Sequence, residues 1–158
     1  MRNPTSKYRI AIAAAVMTLA GWTTALQAQT INVVLSGQNE VPAVETSATG
    51  SGTIVVGPDK SISGSIKTAG VVGTMAHIHS GKAGENGPVV VPLTKEGDNT
   101  WKVPANTKLS AEAYKAFQAR ALYINVHSAA QPDREIRTRL DAKAGIKDTL
   151  GGAPKSSY

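Results

Sequence analysis

The chain of 158 residues contains no cysteine. A fold built from it has no disulfide bonds, so a hydrophobic core alone must hold the structure together. The absence also removes the thiolate as a nucleophile and as a metal ligand. Any metal site in this protein therefore depends on imidazole, carboxylate or thioether groups.

Aromatic residues are also scarce, at 4% of the sequence. They leave too few rings for a platform on which nucleic acid bases stack. The formal charge of +6 comes from 17 basic and 11 acidic residues, and three of the basic residues lie in the first 28 positions, which hold no acidic residue. The remainder has 14 basic against 11 acidic residues, or +3, and no nucleic acid partner is predicted.

Long apolar runs are missing except near the N-terminus, where Ile10–Ala20 carries no charge. Arg2, Lys7 and Arg9 precede this run, and Leu26-Gln27-Ala28 supplies a small residue for cleavage. This order is typical of an export signal over the first 28 residues. An uncleaved anchor is the alternative, but the run is short for a membrane span. We expect an exported protein, periplasmic or secreted, without a transmembrane segment after cleavage.

The central part of the sequence, residues 29–140, alternates short β-rich runs with turn residues. Such spacing predicts one all-β domain, an antiparallel, Greek-key-like β-sandwich or flattened barrel. Residues 141–158 are rich in Lys, Gly, Ser and Pro and predict a flexible C-terminal tail. The eight predicted strands are Ile31–Ser36, Thr53–Val56, Ser61–Thr68, Thr74–His79, Pro88–Leu93, Asn99–Val103, Ala121–Ser128 and Glu135–Leu140.

One alanine-rich segment, Leu109–Ala121, does not follow the strand pattern. Its apolar residues recur every four positions, at Ala113 and Phe117 among others, which is typical of a helix lying against a sheet. Ser110 suits the N-cap position. The sequence therefore predicts one short helix.

Two of the three histidines lie one residue apart, at positions 77 and 79. Residues two apart in a strand point to the same side, so His77 and His79 project together with Met75 beside them. In a later strand, Asn125 and His127 share a polar face. Three imidazoles with a thioether or water suit copper best and zinc next.

A purely structural interpretation of the histidines stays open, with hydrogen-bonded rings and His127 distant from the pair. Asn125 and Glu135 are candidates for orienting metal ligands from behind. Glu135, Arg137 and Arg139 are interpreted as an ordinary solvent-exposed charged face of the last strand. The glycine-rich Gly81–Gly87 does not match a phosphate-binding loop and predicts a turn with positive φ angles. No catalytic residue is predicted.

Three stretches of the sequence resemble the CHRD domain, a module named after chordin and also found alone in bacterial exported proteins. The stretches are Leu35–Gly50, Ala76–Leu93 and Leu122–Leu140, with the motifs Asn39-Glu40-Val41-Pro42, His77-x-His79 with Gly81 and Gly87-Pro88, and Asn125-Val126-His127 with Glu135-Ile136-Arg137. The family usually has a glycine directly before the Glu-Ile-Arg motif, whereas this chain has Arg134 there.

The resemblance implies an all-β sandwich over about residues 31–140, either Cu,Zn superoxide dismutase-like or immunoglobulin-like. A His-x-His strand followed by a glycine-rich loop is similar to the copper strand of those dismutases. Their cysteines and further zinc-site histidines are missing here, so the resemblance does not imply dismutase activity. In chordin the module belongs to an extracellular protein that binds growth factors.

Together these patterns predict an exported, non-enzymatic binding module with a transition-metal site. Its predicted ligands are His77, His79 and His127, with Met75 or water completing the shell, and copper is favoured over zinc. One alternative is a structural or adhesion domain that presents its loops to an envelope or extracellular protein and holds no metal. The other is a copper redox enzyme of the superoxide dismutase type.

Overall fold

The computed structural model describes residues 27–141. Almost all of the predicted export signal and of the predicted tail therefore lies outside the described residues. Within the described range, nine strands and one α-helix follow one another along the chain. They are β1 Gln29–Ser36, β2 Thr49–Val56, β3 Ile62–Ala69, β4 Gly73–Ser80, β5 Val89–Pro92, β6 Thr94–Glu96, β7 Thr100–Lys102, α1 Ala111–Gln118, β8 Leu122–Ser128 and β9 Ile136–Arg139.

The nine strands form a single antiparallel sheet in the order β5-β4-β8-β9-β1-β2-β3-β7-β6. Its two edge strands, β5 and β6, follow each other in the chain and are separated only by Leu93. The backbone N–H of Leu93 donates to the carbonyl of Ala76 in β4, at 2.9 Å. The sheet therefore nearly closes on itself, and the prediction of an all-β flattened barrel is confirmed.

Alternation of buried and exposed side chains separates the core from the surface in β1. In β1 the side chains of Ile31, Val33 and Leu35 are buried, while Asn32 and Val34 between them are exposed. This is the pattern expected of a strand with one face on a core. The same core collects the apolar side of every long strand and of the helix.

The helix α1 lies against this core through Ala113 and Phe117, as its apolar spacing predicts. Ser110 is its N-cap, and the serine hydroxyl accepts from the backbone N–H of Ala113 at 3.1 Å. The helix is shorter than the predicted segment at both ends. No helix in the described part of the chain is long and apolar enough to cross a membrane.

Strand β6 was not predicted from the sequence. Its residues Thr94, Lys95 and Glu96 are all exposed, so no hydrophobic alternation marks it. It pairs only with β7 in the hydrogen-bonded order of the sheet. Short, charged edge strands of this kind are common because charge discourages pairing with another molecule.

Strands β4 and β8 are neighbours, and their register decides which side chains meet. His77 pairs with Asn125, His79 with Tyr123, and Met75 with His127. The intervening residues of β4 turn into the core and are buried. The histidines of both strands therefore project from the outer face of the sheet.

Adjacent valines in β1 provide a direct test of the face assignment. Val33 is 2% exposed and Val34 is 68% exposed. Val33→Ala should lower the free energy of unfolding by about 2 kcal/mol, because two buried methyl groups are lost and a cavity remains. The matched Val34→Ala change should cost less than about 0.5 kcal/mol. Urea denaturation measures both, and equal losses would contradict the assignment.

Candidate metal centre

The three histidines of the chain come together on the outer face of β4 and β8. Each of His77, His79 and His127 offers one ring nitrogen, and these nitrogens all lie within 4.8 Å of one another. The ring centroids are 5.0 Å apart for His77 and His127 and 5.6 Å apart for His77 and His79. The predicted meeting of rings from two separate strands is thus present in the fold.

Backbone carbonyls set the tautomers of two of the rings. Nδ1 of His79 lies 2.8 Å from the carbonyl oxygen of Gly87, and Nδ1 of His127 lies 2.9 Å from that of Pro132. A carbonyl only accepts, so both Nδ1 atoms carry the proton and donate. Each Nε2 is then unprotonated and keeps a lone pair, the state that a metal ligand requires.

The third ring is hydrogen-bonded to one of these lone pairs. Nδ1 of His77 lies 3.1 Å from Nε2 of His127, and because that Nε2 accepts, the His77 nitrogen donates. A metal would replace this hydrogen bond, with the His77 proton moved to its other nitrogen. Two nitrogens bound to one ion at 2.0–2.1 Å are about 3–4 Å apart. The three ring nitrogens would therefore need to move by about 1 Å to bind one ion together.

Burial lowers the pKa values of two of the rings, His77 and His79. Burial lowers the pKa of His77, and the neighbouring His127 and His79 lower it further. Burial is also the main cause of the lowered pKa of His79, although its hydrogen bond to the Gly87 carbonyl acts in the opposite direction. Neutral imidazole is the form that coordinates metal ions. The pocket thus favours the ligand form of both rings.

The remaining predicted site residues lie at different distances from the rings. Met75 is 47% exposed on the same face, opposite His127 in the register. Asn125 is buried beside His79 and opposite His77. Glu135 accepts instead from Ser128, at 2.7 Å. The roles of Met75 as ligand and of Asn125 and Glu135 as supporting residues stay predictions.

The interpretation of the last strand as a solvent-exposed charged face is wrong for two of its three residues. Glu135 is 6% exposed and Arg137 is 5% exposed, while Arg139 is partly buried. Glu135 accepts from the hydroxyls of Ser128 and Thr46, so the segment before β2 covers this face. Periodicity along β9 does not reveal a cover that comes from a distant part of the chain.

Arg137 connects the covering segments to the histidine site. Its guanidinium donates to the carbonyl of Asn39 at 2.6 Å and to Oδ1 of Asn86 at 2.9 Å, and it lies 3.6 Å from the Glu40 carboxylate. The same group lies over the ring of Tyr123, 4.7 Å from its centroid. The ring of His79 is also stacked on Tyr123. The sequence alone did not connect His79 with Arg137.

The free energy of unfolding of the metal-free protein should depend on pH in two opposing ways. Because the pKa values of His77 and His79 are lowered, the unfolded chain binds more protons below pH 6.5, and stability falls there. Burial raises the pKa of Glu40 to about 7 in spite of Arg137. The folded protein therefore holds a proton that the unfolded chain releases above pH 4.5, and this contribution declines as the pH rises towards 7.

Glu40→Gln removes the second effect and leaves the first. Between pH 4.5 and 6.5 its free energy of unfolding should rise more steeply with pH than that of the unchanged protein. Urea denaturation at several pH values in this range measures the slope. Glu45→Gln, which removes an exposed carboxylate from the same segment, is the control. Parallel profiles for Glu40→Gln and the unchanged protein would contradict the assignment.

The loop after β4 holds His79 in place through a glycine. A Cβ atom at Gly87 would lie 1.6 Å from the carbonyl oxygen of Ser80, so alanine there must displace the loop. Gly84 in the same loop has a φ of +79° and open space around it, as the predicted glycine-rich turn requires. The Gly87 carbonyl is therefore in position only because residue 87 has no side chain.

Gly87→Ala should disturb the tautomer of His79, because its carbonyl partner moves. Long-range ¹H–¹⁵N NMR should show protonated Nδ1 at His79 in the unchanged protein and a mixture of tautomers in Gly87→Ala. Gly84→Ala is the matched control and should keep the tautomer, at a cost of about 1 kcal/mol for its backbone strain. Unchanged His79 signals in Gly87→Ala would show that the carbonyl does not set the tautomer.

Comparison with known proteins identifies one family. The family model of the CHRD domain matches residues 31–140, which include the three histidines and all of β2 to β9. Neither the curated proteins nor the solved structures give a significant match. The resemblance seen in the sequence motifs is therefore confirmed over most of the chain.

Proposed function

The chain belongs to the CHRD domain family, and we propose that it is an exported, non-enzymatic binding module that holds one transition-metal ion. The ligands in this proposal are His77 Nδ1, His79 Nε2 and His127 Nε2. The observation that carries it is the convergence of three ring nitrogens, from two strands, within 4.8 Å. Copper is the preferred metal and zinc the second choice.

The hydrogen bonds around the rings support a metal rather than simple packing. Nε2 of His79 is buried and has no hydrogen-bond partner, although its Nδ1 is bonded. A buried acceptor without a partner costs about 1–3 kcal/mol. A metal ion bound to this lone pair would compensate that cost, whereas packing alone would not.

The donor set favours copper. Imidazole nitrogen binds copper and zinc well, and divalent copper binds such sites more tightly than zinc does. The three protein ligands leave room for a fourth, which in this proposal is water or the thioether of Met75. A thioether is a soft ligand that copper accepts more readily than magnesium or calcium does.

Family membership supports a binding role, and the sequence supports export. CHRD domains are extracellular-type domains, and the segment over residues 1–28 has the order of an export signal. An envelope or extracellular protein is the proposed partner. Zinc or copper held between β4 and β8 would also stabilise the fold on which such a partner docks.

Copper titration of the metal-free protein tests the proposal. We expect one saturable Cu(II) site with nitrogen hyperfine structure in its EPR spectrum, and elemental analysis of the protein from its native source should find about one metal ion per chain. His79→Gln and His127→Gln should each weaken binding by more than about 100-fold, since even supporting residues cost 10–100-fold. Met75→Leu should change the spectrum only where the thioether is the fourth ligand.

Equal copper binding by the unchanged protein, His79→Gln and His127→Gln would overturn the three-histidine site. Circular dichroism and urea denaturation of each variant separate loss of a ligand from loss of the fold. Absence of any saturable site would favour a structural or adhesion domain whose histidines only pack. Superoxide turnover above that of free copper would instead favour the redox enzyme.

A further inference from the structure

A cavity of about 320 Å³ lies beside the histidine cluster. Its lining includes Glu40, His79, Asn125, Asp133 and Arg134. The volume equals that of about ten water molecules, which is enough for a small organic molecule. Of these residues, only His79 is shared with the proposed metal shell.

Most of the buried polar atoms without partners belong to residues that line this cavity. Among the described residues, five buried side-chain atoms lack a hydrogen-bond partner, and four of them belong to residues that line it. They are Glu40 Oε1, His79 Nε2, Asn125 Oδ1 and Arg134 Nε. Glu40 and Asn125 are each 4% exposed. Buried polar groups are normally satisfied, so this grouping indicates a site for a polar ligand.

The unpaired atoms define what the ligand must offer. Apart from His79 Nε2, Glu40 Oε1 and Asn125 Oδ1 are acceptors without a partner, and Arg134 Nε is a donor without one. The ligand must therefore donate to one part of the cavity and accept in another. A simple anion would be repelled by the Glu40 and Asp133 carboxylates. A simple cation would leave Arg134 unpaired.

Stacking does not contribute to recognition here. Tyr123 lines the cavity, but its ring contacts His79, with centroids 4.9 Å apart, and the guanidinium of Arg137, 4.7 Å from its centroid. Its hydroxyl accepts from the backbone N–H of Gly87. A sugar or a nucleobase would find no free aromatic face, so hydrogen bonds and charge remain as the means of recognition.

We propose that this cavity binds a small zwitterion with one ammonium and one carboxylate group, of the free amino acid class. The ammonium donates to Glu40 and Asn125, and the carboxylate accepts from Arg134. Above pH 7, where Glu40 is ionised, the nearby charges balance such a ligand, because the acidic Glu40 and Asp133 oppose Arg134 and the buried Arg137. These contacts do not involve a metal ion, so the inference goes beyond the proposed function and does not depend on it.

Glycine is the probe, added at pH 8 to the full, metal-free, ¹⁵N-labelled protein in the presence of EDTA. Glu40, whose pKa burial raises to about 7, is ionised at this pH. The side-chain NMR signals of Arg134 Nε–H and of the Asn125 amide should shift saturably. Acetate and methylammonium each supply only one of the two groups and should bind about tenfold more weakly or worse. Glycine binding that equals acetate binding would reveal a simple anion site and overturn the proposal, as would the absence of a saturable shift.

Variants separate the cavity from the protein surface. Arg134→Gln and Glu40→Gln should each weaken glycine binding about tenfold, because each removes one charge-assisted hydrogen bond. Lys102→Gln is the control, since Lys102 forms a surface ion pair with Glu96 and does not line the cavity. Unchanged binding by Arg134→Gln would overturn the proposal.

A second variant and the absence of metal allow the glycine result to be interpreted independently. If Glu40→Gln does not fold, Arg134→Gln still decides, because its Nε has no hydrogen-bond partner to lose. A failure of copper binding leaves the glycine result standing, since glycine is tested without metal. A failure of glycine binding likewise leaves the copper titration standing.

Discussion

The antiparallel register of β4 and β8 is the constraint on which the candidate site depends. It pairs His77 with Asn125 and Met75 with His127, so rings from two strands project from one face and can meet. A slip of one residue would turn the histidines of β4 into the core and expose Ile78. Burial of Ile78, at 0% exposure, therefore fixes the direction in which the histidines point.

Loops that cover the outer face add the second element of the site. The carbonyls of Gly87 and Pro132 set the ring tautomers, and neither belongs to the strands that carry the histidines. Arg137 holds two of the covering segments through Asn39 and Asn86. The face is consequently both polar and shielded, so neutral rings and unpaired acceptors persist where solvent would otherwise satisfy them.

Much of this arrangement can be predicted from the sequence, because alternation is a local property. It places His77 and His79 on one face and His127 on the polar face of its own strand, and Ser110 marks the start of the helix. The burial of the outer face by distant segments is not a local property. Arg137 follows a buried isoleucine, as a surface residue would, and its burial depends on a segment about 100 residues earlier. Backbone acceptors such as Pro132 carry no sequence signal.

The central claim is that three imidazoles share one metal ion, and a crystal of the copper-loaded protein tests it most directly. Anomalous scattering at the copper edge should give one strong peak per chain. The account predicts this peak about 2 Å from His77 Nδ1, His79 Nε2 and His127 Nε2. A peak elsewhere on the surface, or one that contacts only a single histidine, would contradict it.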